Sequence, residues 1–218
     1  MRVFYLTGAQ YGISNIALRR IKVSRFSELN DPFELLGVNL SDKAKRAAFR
    51  KTKEELDESK GLICFTRSWK NPVLWGHYAE KHTGIALGLD IPDHLLVPVI
   101  YSKRLLDVDL HIKSGKPPKE LVDRLIRTKF YDWKYESEVR LFVGLDHKTA
   151  EGGRYFFPFS DEVRLAEVIL GPKCDLPVDG VRELLRSQNS SANVIKARIA
   201  FSRFEVLENQ AATRADEA

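Results

Sequence analysis

Apolar and polar residues alternate in short runs along much of the chain, and that period of two predicts strands. Residues 2–7 place Val3, Tyr5 and Thr7 on one face and Arg2, Phe4 and Leu6 on the other. Runs at 21–24, 62–66, 85–89, 95–101 and 165–170 read the same way, and 194–206 reads as one long or two short strands. Pro98 cannot donate to a ladder, so its run belongs at a sheet edge or a bulge. Residues 136–145 give the clearest strand. Residues 154–159 are its expected hairpin partner across a loop containing Gly152 and Gly153.

Helical periods fall between these runs. Ser14 is placed to cap a short helix over 16–20. Ala44, Ala47, Ala48 and Leu56 favour a helix over 41–59. Asn71 as cap and Pro72 at the first turn start a helix with Trp75, Tyr78, Ala79 and His82 on one face, ending at Gly84. After a loop over 107–118, Leu121, Val122, Leu125, Ile126 and Phe130 form an apolar stripe. A last helix spans 179–188, and the polar, Ala-rich tail over 208–218 is expected to be disordered. Helices and strands do not alternate strictly. The expected fold is therefore α+β, one domain over 1–207 with mixed, mostly antiparallel sheets and flanking helices.

Composition narrows the class. The 218 residues are 44% hydrophobic, enough for a sizeable core, and 30% charged. No run approaches the roughly 18 apolar residues of a membrane span. The opening stretch is broken by Gly8 too early for a signal peptide, so a cytoplasmic protein without a membrane partner is expected. Cys64 and Cys174 read as buried reduced thiols, and no Cys/His spacing suggests zinc. The net charge of +5 mildly favours anionic partners. The basic residues of 41–59 are interspersed with acids and read first as a solvated helix face.

Three constellations carry possible chemistry. In Trp133-Lys134-Tyr135-Glu136-Ser137-Glu138-Val139-Arg140, strand geometry sets Glu136, Glu138 and Arg140 on one face. Two carboxylates about 7 Å apart repel, so one pKa rises where water is scarce. The plain alternative is a solvated ion pair. The second constellation joins Thr66 and Ser68 to Trp75, His77, Tyr78 and His82. On a regular helix His77 and His82 point apart, so they cannot share a metal. The third is the turn Asn30-Asp31-Pro32-Phe33-Glu34, either a rigid turn with Phe33 as a plug or a loop at a site mouth.

Together and in this order, these segments resemble the bacterial family called domain of unknown function 2971. The resemblance covers roughly residues 3–170. It rests on Val3-Phe4-Tyr5, on Asn30 to Glu34, and on Phe65-Thr66 leading into Trp75, His77, Tyr78, Ala79, His82 and Gly84. The final element is Trp133, Glu136, Glu138 and Arg140. Thr66 stands where the family more often has Ser and keeps a hydroxyl. The chain also resembles the ADP-ribosyltransferase fold, whose three strand elements match Tyr5 with Thr7, Thr66 with Ser68, and Glu136 with Glu138. Tyr5 stands in place of the usual His or Arg.

That second resemblance implies cleavage of the nicotinamide–ribose bond of NAD, as in a toxin or phage-defence effector. Glu138 would stabilise the ribosyl cation and Glu136 would align or deprotonate an acceptor, protein or nucleic acid. Tyr5, Thr7, Thr66, Ser68, Tyr78, His82 and Arg140 would line the NAD site, with no metal required. Two other classes stay open. One is a metal-dependent nuclease or phosphodiesterase using Asp31, Glu34, Glu136 and Glu138 as oxygen ligands. The other is a non-enzymatic binding module.

Overall fold

A computed structural model describes residues 1–106 and 116–214. The chain runs β1 (Arg2–Thr7), α1 (Ala9–Ala17), β2 (Arg20–Val23), α2 (Lys43–Ser59), β3 (Lys60–Thr66), α3 (Pro72–Tyr78), β4 (Ile85–Asp90), β5 (Val97–Pro98), β6 (Ile100–Ser102) and α4 (Lys119–Leu125). It continues through β7 (Thr128–Phe130), β8 (Glu138–Gly144), β9 (Tyr155–Pro158), β10 (Arg164–Leu170), α5 (Val178–Ser187), β11 (Asn193–Ile199), β12 (Val206–Glu208) and α6 (Gln210–Arg214).

The alternation in 2–7 becomes the middle of an eight-stranded sheet, ordered β12-β11-β10-β4-β1-β3-β8-β5. Its pairings are antiparallel except β10 with β11, so the fold is α+β with a mixed, mostly antiparallel sheet flanked by helices. Apolar side chains on alternate positions fill two layers. Val3, Phe65, Leu87 and Val168 pack with Ile16 of α1 and Val181 and Leu185 of α5. Phe4, Ala86, Ile169 and Ile195 pack with Trp69 and Trp75. A third cluster joins Leu62 to Phe26, Phe49, Leu121 and Leu125 under α2 and α4. Pro98 sits on the edge strand β5, as its missing N–H requires.

Several expected boundaries move. The helix set at 16–20 begins at Ala9, and Arg20 already belongs to β2. Gly12 lets α1 approach Ile85 closely, since a Cβ there would lie 2.2 Å from that side chain. The helix from Pro72 ends at Tyr78 rather than Gly84, because Glu80, Lys81 and His82 all turn left-handed (φ 46°, 55° and 78°). Gly84 then touches the backbone of β1, leaving no room for a Cβ 2.2 Å from the Thr7 carbonyl.

The stripe over 121–130 is helical only to Leu125, and Thr128–Phe130 pairs in parallel with β6 instead. The run over 95–101 divides into a turn at Asp93–Leu95, β5 and β6. Residues 154–159 do not pair with β8, which pairs with β3 along one flank and with β5 at Val139 and Arg140 on the other; β9 pairs with β2 in a separate ribbon. The tail expected to be disordered holds α6, tied to β11 by the Asn209 N–H on the Lys196 carbonyl and the Lys196 N–H on Thr213 Oγ1. Residues 215–218, and most of the loop expected over 107–118, lie outside the described residues.

Candidate active site

The site begins with a gap in strand pairing. β3 pairs with β8 along its whole length, from Lys60↔Gly144 to Thr66↔Glu138. On its other flank it meets β1 in register only at Phe4↔Thr66, and Ser24 only at Leu62. Ser24 and Leu62 exchange both backbone hydrogen bonds at 2.9 Å. Backbone polar groups alternate sides along a strand, so the N–H and C=O of Cys64 face the same flank as those of Leu62. Between the two contacts that flank has no strand partner among the described residues. A cavity of about 210 Å³ opens there, lined by β1 at Phe4–Leu6, by Lys22 and Ser24, and by 63–66 of β3.

Its polar wall is a chain of buried charges. The start of β8 supplies Glu138 and Arg140. The turn before it supplies Glu136, which a 3₁₀ turn over Tyr131–Glu136 and the left-handed Ser137 (φ 46°) aim at the same cavity. Lys129 enters from β7, between the two carboxylates. Its ammonium is 2.5 Å from Glu136 Oε2 and 3.2 Å from Glu138 Oε2. Arg140 donates Nε–H to Glu138 Oε1 at 2.7 Å and grips Glu34 with two N–H groups at 2.5 and 3.0 Å. These five side chains are nearly solvent-free, at 5% for Lys129, Glu136 and Glu138 and 1% for Glu34 and Arg140. At the mouth, the Tyr78 hydroxyl donates to Glu136 and Asn30 donates to Tyr78.

Burial costs an ion its hydration, so each charge needs a partner to persist. Burial pushes the Glu138 carboxyl up, but Arg140 and Lys129 outweigh that and hold it down at about 2. Burial pushes Glu136 up, and Lys129 offsets this only in part, leaving Glu136 the more basic carboxylate. Burial disfavours the charge on Arg140, yet Glu138 and Glu34 outweigh it and keep the guanidinium firmly protonated. The Cys64 thiol, hydrogen-bonded to Glu138, is driven well up by burial and then by that carboxylate. Burial pushes Glu34 up as well, against the pull of Arg140. The charged residues that line the cavity balance, with Lys22, Lys129 and Arg140 against Glu28, Glu136 and Glu138. Tyr5, edge-on to Phe65 at 6.3 Å, lines the apolar side, and burial raises its hydroxyl to about 12.

Tyr5, Thr66, Tyr78, Glu136, Glu138 and Arg140 thus meet at one cavity. Thr7, Ser68 and His82 do not line it. Thr7 is buried beneath Gly84; Ser68 is exposed and accepts from Thr66 Oγ1 through its carbonyl. His82 sits past the end of α3, its backbone carbonyl bound by the Lys173 N–H and its Nδ1 buried without a hydrogen-bond partner among the described residues. Phe33 is no plug, being 55% exposed, while Asp31 and Glu34 of the same turn are buried.

The residue that sequence reasoning missed outright is Lys129. The β-branched and aromatic run Thr128 to Tyr131 was the available signal that the helix had ended. Asp31 accepts from the N–H groups of Phe33 and Phe130, and Glu34, Glu136 and Glu138 are held by cations. A divalent metal would have to displace those cations, and no group of three or more His, Cys, Asp or Glu among the described residues is arranged to hold one.

Compared with protein-family models, curated proteins and solved structures, the chain gives no match. No helix among the described residues is long and apolar enough to cross a membrane.

Proposed function

We propose that the cavity takes the nicotinamide–ribose end of NAD and cleaves the bond between them, as an ADP-ribosyltransferase or NAD hydrolase. The observation that carries this reading is the meeting of Tyr5, Thr66, Glu136 and Glu138 at one cavity. A cationic nicotinamide ring, and the cation left on ribose when it departs, suit a pair of buried carboxylates. The N–H and C=O of Cys64, on the flank of β3 with no strand partner among the described residues, offer a donor beside an acceptor, the complement of a carboxamide. The volume suits this end of the dinucleotide alone, since pockets that enclose whole drug-sized ligands run to about 300 Å³ or more.

In this reading the bond from ribose C1′ to the ring nitrogen breaks, and its electron pair leaves with neutral nicotinamide. Glu138, ionised at the cavity floor, stabilises the ribosyl cation. Water or an acceptor hydroxyl then bonds to C1′ and gives its proton to Glu136, whose raised pKa suits a general base. Tyr78 and Asn30 position that carboxylate at the mouth.

Incubation of the purified protein with NAD tests this. Nicotinamide release is expected, with Glu136→Gln slowing it by about a hundredfold or more. No release with water or any acceptor, together with no NAD binding by calorimetry, would refute the reading.

A further inference from the structure

A second surface adjoins the charged cavity on the far side of Lys129. There a cavity of about 350 Å³ lies between Phe33, the segment Ser102–Leu105 and β7. Its lining holds Lys103, Arg104 and Lys129 and no carboxylate. Phe33 and Phe130 expose 55% and 43% of their surface there. Such rings gain nothing from the core and stay available to a partner.

The aromatic surface continues beyond it. Tyr131 lies between two ammonium groups, Lys103 at 4.5 Å and Lys134 at 5.4 Å from its ring centroid. Trp133 follows, 6.0 Å from Tyr135, which is 6.2 Å from His77; His77 is 6.2 Å from Tyr78 at the mouth of the charged cavity. Lys103, Arg104 and Lys134 are exposed and form no ion pair with a carboxylate among the described residues.

We infer that this tract, from Phe33 and Phe130 past Tyr131 to Tyr135 and His77, binds single-stranded nucleic acid. Unpaired bases stack on the exposed rings of Phe33, Phe130 and His77 and on the half-buried rings of Tyr131 and Tyr135, and the interleaved cations hold the phosphates between them. A plain anionic peptide would use the cations and leave the rings idle. Paired bases in a duplex are closed to stacking on side chains. Strand binding does not depend on NAD cleavage. If both hold, the tract leads an unpaired base to the mouth at Tyr78, where an acceptor is needed.

The test is fluorescence anisotropy with a labelled mixed-sequence strand of roughly 12 nucleotides. Saturable binding is expected, with log K falling linearly as log salt rises. Lys103→Gln with Lys134→Gln should weaken it about tenfold or more, and Phe33→Ala with Phe130→Ala about fivefold or more. All four side chains are exposed, so melting temperatures near the parent value would verify the fold of each variant. No saturable binding at low salt would overturn the inference. So would equal or tighter binding of a duplex of the same length, or affinity unchanged in both variants. Strand binding without nicotinamide release would leave this inference standing and remove the NAD reading.

Discussion

Glu138 shows how one carboxylate can be both buried and charged. Its folded pKa of about 2 lies below the usual value of 4.5, because Arg140 and Lys129 outweigh the cost of burial. A depressed acid stabilises the fold above its unfolded pKa, and that contribution is lost as pH falls through the folded one. Glu138→Gln should therefore cost about 1.5–3 kcal/mol at neutral pH, since Arg140 and Lys129 each lose a charged hydrogen-bond partner while keeping Glu34 and Glu136. The deficit against the parent should shrink between pH 4.5 and about 2. Urea denaturation across that range checks it; a deficit independent of pH would show that Glu138 is not ionised in the fold. The carboxylate row with Arg140 was legible because a period of two alone sets those side chains together. The partners that keep the row charged were not legible. Glu34 comes from a turn far away in sequence, and Lys129 lay in a stripe that read as helix.

At the scale of elements, local chemistry fixed starts better than stops. Asn71 and Pro72 begin α3 as expected, with the Asn71 side chain accepting from the Val73 N–H. The end of α3 is set by packing: the left-handed turn at Glu80–His82 carries the chain back so that Gly84 meets β1. No periodicity announces such a turn, and three consecutive side-chain-bearing residues there run against backbone preference. Gly84→Ala should cost about 1–3 kcal/mol, because the added Cβ meets backbone atoms that cannot rotate away. A denaturation midpoint unchanged by this substitution would show that the turn is looser than described. Strand pairing was the least legible level. Residues 154–159 have the right pattern for a strand, but pattern does not name a neighbour, and the neighbour is β2 rather than β8.

Across the whole molecule, the sheet makes a site by failing to pair. β3 is bound continuously to β8 but touches β1 and Ser24 only at its two ends, and the interval between becomes the cavity. The charged chain from Tyr78 to Glu34 closes one wall, and the aromatic, basic tract lies just outside it. We propose that the buried carboxylates Glu136 and Glu138 favour the cationic nicotinamide ring over its neutral reduced form. Calorimetric comparison of NAD with its reduced form tests this directly, because reduction removes the charge on the nicotinamide and changes its shape little. The oxidised form should bind at least about tenfold tighter, a difference of about 1.4 kcal/mol, and Glu136→Gln should narrow the gap. Equal or tighter binding of the reduced form would contradict the account.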